Sequence, residues 1–166
     1  MMETSITETQ NTVKVSSSNA SLLRPLWLVL IYFILTAYLY SFSEYGFNVW
    51  DEGGYANGTL RTLNGEKAMV DFNPSGYLPG RYLYGLLFFK LLGVSIQSLR
   101  IGVILITPAM IFMVFAISRR MMPSGFAFLA AAFMLSAPAM YYNRFFTFFC
   151  VLNLFCLVRC VEKLQP

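Results

Sequence analysis

The chain has 166 residues, of which 57% are hydrophobic and only 12% charged, with a net charge of +4 and no histidine. Soluble domains run at about 45–50% apolar and about 25% charged, so a water-soluble core of this size cannot absorb the apolar surface, and lipid is the expected solvent. No run of Lys and Arg interleaved with aromatics suggests nucleic-acid binding, and any metal would need carboxylate ligands or ligands from elsewhere.

Residues 1–21 are rich in Ser, Thr and Asn and lack apolar periodicity. They predict a disordered cytoplasmic tail. A first span is predicted over 22–42, uncharged from Leu26 to Tyr40, with Trp27, Tyr38 and Tyr40 suited to the two interfaces. Lys14 and Arg24 place the N-terminus inside, and no cleavage site follows the apolar run, so the segment is expected to stay as an anchor.

Residues 43–76 form the one long polar stretch between apolar ones and are predicted to lie outside. Asp51, Glu52, Glu66 and Asp71 fall between Val49 and Arg81, four of the chain's eight acids, with Glu44 just before them. Asp51 is placed to cap a short helix from Glu52 to about Leu63, which Asn64-Gly65 would end. Residues 77–93 are apolar but carry Arg81 and Lys90, and fit either a span or a helix along the surface. Further spans are predicted over 101–118, 125–142 and 145–161. The fold class is therefore an all-α polytopic membrane protein with four spans, or five if 77–93 crosses. Four spans put six basic residues on each side, and five put five inside and seven outside, so the preference for four is slight. Cys150, Cys156 and Cys160 lie in the last apolar segment off a common helix face, which reads as packing and not as a disulfide or metal site.

Two adjacent carboxylates beside a membrane can take a proton from a nucleophile or hold a divalent cation through oxygen. The same pair also suits a plain helix start, Asp as cap and Glu in the first turn. Gly53-Gly54 permits close approach of a ligand but matches no phosphate-loop pattern. Arg81 and Arg100 bracket the ambiguous segment and suit either a phosphate or snorkelling to headgroups, with Lys90 and Arg144 weaker candidates. Asn57-Gly58-Thr59 fits the glycosylation sequon.

The succession Trp50-Asp51-Glu52-Gly53-Gly54-Tyr55, Gly65, Asp71-Phe72, Pro79, Tyr84, Phe89-Lys90-Leu91-Leu92-Gly93-Val94 and Leu99-Arg100 resembles the front of polytopic glycosyltransferases of the GT-C fold. The nearest branch holds the protein O-mannosyltransferases, the lipid A aminoarabinose transferases and related bacterial family 39 enzymes. The resemblance runs from about Leu26 to Lys163. It implies transfer of a sugar from a polyprenyl-phosphate carrier to a lipid, glycan or protein acceptor on the outer face of the plasma membrane. Asp51 would be the base or the group that positions the acceptor, and Glu52 its assistant. If a divalent metal serves as cofactor, Asp51 and Glu52 would hold it. Substrate contacts are expected from Arg81, Arg100, Tyr55 and Asp71. Many members carry an acid in an R-x-x-x-D motif after the third span, but Asn143-Arg144-Phe145-Phe146-Thr147 has none. Such enzymes run to several hundred residues, so a fragment, or a chain completed by a second polypeptide, is expected. The competing expectation is a non-catalytic accessory subunit. A transporter piece is disfavoured because the later spans lack ionisable residues in their cores.

Overall fold

The computed structural model describes residues 26–74, 79–136 and 141–164. The predicted tail and residues 22–25 of the first span lie outside the described residues. Six helices and no strand are found among the described residues: α1 (Leu26–Tyr40), α2 (Asp51–Leu63), α3 (Gly80–Leu92), α4 (Ile96–Ser118), α5 (Ser124–Phe133) and α6 (Tyr141–Leu164). The chain divides after Leu35 into two units. The described part of the first is the front of α1, which exposes Trp27, Phe33 and most of its aliphatic side chains. The site described below lies in the second.

At 23 residues, or about 35 Å at 1.5 Å per residue, α4 is long enough to cross a bilayer core. Residues 144–164 of α6 also qualify by length and apolar character. The two are built differently: 39% of the most apolar window of α4 is buried inside the protein, against 6% for α6. Thus α4 is the packing centre, touching α2, α3, α5 and α6, while α6 keeps most of its apolar surface outward. Pro108 sits buried within α4 and supplies no amide hydrogen, so the ladder loses one bond there. One residue before it, the Thr107 hydroxyl donates to the Val103 carbonyl at 2.7 Å.

The segment predicted as a span over 125–142 is not one helix. α5 ends at Phe133, a turn follows through Ser136, and α6 has begun by Tyr141. The Ser136 hydroxyl bonds back to the Phe133 carbonyl at 2.7 Å, a local partner that competes with the helix ladder. Residues 137–140 lie outside the described residues. Length separates α3 from the long helices too. Its 13 residues rise about 20 Å, short of the roughly 30 Å hydrocarbon core.

On one side of α4, α2 and α3 pack through glycine sockets. Gly58 of α2 faces the Tyr82 ring of α3, so close that a Cβ there would lie 2.2 Å from Tyr82 Cε1. Reciprocally, Gly85 of α3 receives Thr59 and Tyr55 of α2. Gly102 of α4 takes the Phe88 ring of α3, and the Tyr84 hydroxyl donates to the Gly102 carbonyl at 2.7 Å. Around these sockets Tyr55, Phe72, Tyr82, Phe89 and Leu99 form a buried core. This aromatic cluster fixes the angle at which α2 presents its N-terminus.

Candidate functional site

The start of α2 is set by Asn48, not by Asp51. The Asn48 carboxamide oxygen accepts from the backbone N–H of Trp50 at 3.0 Å and of Asp51 at 3.1 Å, and its carbonyl accepts from Glu52 N at 2.9 Å. This corrects the expectation that Asp51 caps the helix. The signal was legible: an Asn side chain readily accepts from backbone N–H groups two and three residues on. With Asn48 as the cap, the Asp51 carboxylate does no capping. It is half-buried and accepts from Asn48 Nδ2 at 2.9 Å.

The two carboxylates point to different surroundings. Glu52 is buried, and its oxygens accept from Arg100 Nε at 2.8 Å and Nη2 at 2.6 Å. Arg100 lies five residues into α4, which begins at a Ser95 cap (Ser98 N to Ser95 Oγ, 3.0 Å) and not at residue 101 as the charge pattern suggests. The remaining donors of Arg100 reach the carbonyls of Ser43 at 2.5 Å, Tyr45 at 3.4 Å and Gly46. Gly46 turns through φ +65°, a conformation open to glycine, to present that carbonyl. Gln97, nearly one turn earlier, donates to Ser43 Oγ at 2.6 Å. The first turns of α4 therefore grip the loop between α1 and α2, and Glu52 supplies the charge that makes a buried guanidinium tolerable.

Arg81 sits on α3 and is also buried. Its Nη2 donates to the Asp51 carbonyl at 3.2 Å. The guanidinium lies 4.3 Å from the Tyr55 ring centroid and 5.6 Å from that of Phe146 on α6, both within cation–π range. Tyr55 is buried one turn after Asp51, and its hydroxyl has no hydrogen-bond partner among the described residues. Burial pushes that hydroxyl's pKa well up, with the Arg81 charge opposing, so it stays protonated as a donor. Arg144, two residues from Phe146 on the same helix, is buried as well.

Asp51, Tyr55 and Arg81 are thus brought together at one end of α2, with Phe146 closing over the guanidinium. Asp71 belongs elsewhere. Its carboxylate accepts from Lys67 N at 2.7 Å, and its carbonyl from Arg61 Nη2 at 3.1 Å. Arg61 pairs with Glu66 at 2.6 Å and lies over the Phe72 ring. Ten residues of helix separate Arg61 from Asp51, about 15 Å. Arg100 stands apart in a different way, with its donors directed to Glu52 and the loop carbonyls.

A divalent cation shared by Asp51 and Glu52 does not fit this arrangement. Both Glu52 oxygens face a guanidinium, and Glu52 Oε2 also lies 3.3 Å from Asn48 N, so a cation would have to displace Arg100. No group of three or more metal-binding side chains occurs among the described residues.

Phe146 and Asn48 are the participants that sequence reading missed. Asn48 carried the signal of its side-chain type. Phe146 carried no signal, because an aromatic in an apolar helix has no distinguishing pattern. Set against protein families, characterised proteins and solved structures, the chain matches none of them.

Proposed function

We propose that the chain acts as a membrane glycosyltransferase of the GT-C type, passing a sugar from a polyprenyl-phosphate donor to an acceptor at the outer face of the plasma membrane. The observation that carries the reading is the separation of roles within the Asp-Glu pair. Glu52 is tied into the fold by Arg100, which leaves Asp51 at the half-buried mouth of α2 with a guanidinium held against its own backbone.

Such transfer needs a base at the nucleophile and positive charge at the departing phosphate oxygen. Asp51 supplies the first by taking the proton of the acceptor hydroxyl or amine as it attacks the sugar carbon. Arg81 supplies the second, oriented by the Tyr55 and Phe146 rings. The bond from sugar to phosphate breaks and the polyprenyl phosphate leaves. In this reading α1, residues 125–142 and the two long helices cross the bilayer, α3 lies along the outer surface, and the N-terminus is cytoplasmic. The buried Arg81, held at the Asp51 carbonyl, favours that place for α3.

Asp51→Asn keeps the side-chain volume and removes the base. Transfer of labelled sugar from the membrane polyprenyl-phosphate pool is expected to fall by about 100-fold or more. Transfer at the unmodified rate would favour the second reading, a non-catalytic accessory subunit. The commitment of Glu52 to a purely internal ion pair is the observation on that side.

A further inference from the structure

The loop that Arg100 grips has an unusual outer side. Between Tyr38 and Trp50 the only charge is Glu44. Tyr38, Tyr40, Tyr45, Phe47, Val49 and Trp50 are all exposed, and Trp50 is 89% exposed. Phe42 links the end of α1 to the loop, its ring 5.2 Å from Tyr38 and 6.3 Å from Tyr45. The loop's carbonyls at Ser43, Tyr45 and Gly46 are drawn inward to Arg100, which leaves the apolar side chains on the outside. The loop's backbone is therefore held from within, and the exposure of its side chains is not that of a slack loop.

We propose that residues 38–50 form an interfacial anchor that seats in the headgroup region of the outer leaflet, with Trp50 as its most exposed aromatic. The proposal rests on the membrane reading above and adds to it. Three observations choose lipid as the occupant. The aromatics continue directly from the end of an apolar helix, where a bilayer surface lies if α1 spans. Their types, Tyr and Trp with apolar bodies and polar tips, are those that accumulate at that depth. Glu44 is exposed within the set, which limits insertion to the headgroups and keeps the loop out of the hydrocarbon. Tyr40, Ser41, Ser43, Glu44 and Tyr45 together line a hollow, so the anchor carries polar as well as aromatic surface.

The consequence for the site is direct. Asp51 follows Trp50, so an anchored Trp50 sets the carboxylate at headgroup depth. A lipid-linked substrate then reaches Asp51 by moving laterally in the leaflet and need not leave the membrane.

The chain has two tryptophans, Trp27 and Trp50, which makes the test clean. The full chain would be reconstituted into phosphatidylcholine vesicles as two variants, Trp27→Phe to report Trp50 and Trp50→Phe to report Trp27. Each would be titrated with lipid carrying a nitroxide at the headgroup and, separately, with aqueous iodide. The expected result is quenching of Trp50 by the lipid nitroxide of about twofold or more, with weak quenching by iodide. Trp50 quenched by iodide alone, while Trp27 responds to lipid, would overturn the anchor and leave the membrane reading standing. Trp50 shielded from both quenchers would overturn it in favour of a contact with a second copy of the chain. Neither tryptophan responding to lipid would overturn both the anchor and the membrane placement of α1.

Discussion

The corner made by α2, α3 and the loop before them is assembled like a small soluble protein, whereas the α4–α6 pairing is assembled like a membrane one. The first has a buried aromatic core, three glycine sockets and an arginine whose donors meet a carboxylate and three carbonyls. The second presents Phe149, Leu154, Leu157 and Val161 outward. Among the described residues an exposed clip joins Arg120 to Glu162, with Arg159 beside it. In the membrane reading proposed above, the contrast follows from solvent. A polar corner beside water must bury and satisfy its charges to hold a shape, because an unmet buried charge is expensive. Apolar helices in lipid gain nothing from hiding apolar surface, so packing and a few polar contacts suffice.

Several substitutions break or sharpen that contrast. The largest effect is expected from Arg100→Met, which strands Glu52 and three loop carbonyls. Loss of one partner of a buried pair costs about 3–5 kcal/mol, read as a lower unfolding midpoint in detergent. Adding Glu52→Leu should recover part of this by removing the stranded charge. Full recovery would mean that the carbonyls of Ser43, Tyr45 and Gly46 contribute nothing.

A smaller loss is expected from Gly58→Ala. The added methyl collides with the Tyr82 ring, and overpacking of this kind costs about 1–3 kcal/mol even though alanine is the better helix former. The matched control is Gly54→Ala on the same helix, where a Cβ meets nothing within 4 Å. It should stabilise by about 0.5–1 kcal/mol. If the two variants melt alike, the socket is not closed. Least of all should come from Arg120→Gln at the exposed clip, which is expected to leave the midpoint unchanged within error. A shift as large as that of Arg100→Met would erase the distinction between the two regions.

The all-helical character and the helix from Asp51 to Leu63 were legible in the sequence, because apolar runs and a polar stretch with an Asn-Gly stop are local signals. Ends and partnerships were less so. Arg100 reads as the charge that precedes a span, yet it lies within α4, because its partner Glu52 stands 48 residues earlier and no local pattern reports it. The break after Phe133 was hidden for a related reason. A run such as Phe126–Met134 is apolar whether or not the helix continues, and the Ser136 hydroxyl that helps to end it is one residue among many small ones. The site followed the same division. Asp51, Tyr55 and Arg81 were all singled out in sequence, but Asp71 shares only their loop and not their place.

The Gly58 socket also bears on timing. Asn57-Gly58-Thr59 is a glycosylation sequon by its letters, and Asn57 is exposed. Thr59 is wholly buried, its hydroxyl donating to the Tyr55 carbonyl at 2.7 Å, and Gly58 lies beneath the Tyr82 ring. An enzyme that must engage the hydroxyl of the sequon cannot reach it once α2 has closed on α3. In a cell that modifies this motif, glycan addition and the docking of α3 would compete. The modified fraction would then report how long the nascent chain waits between emergence of residue 59 and arrival of Tyr82.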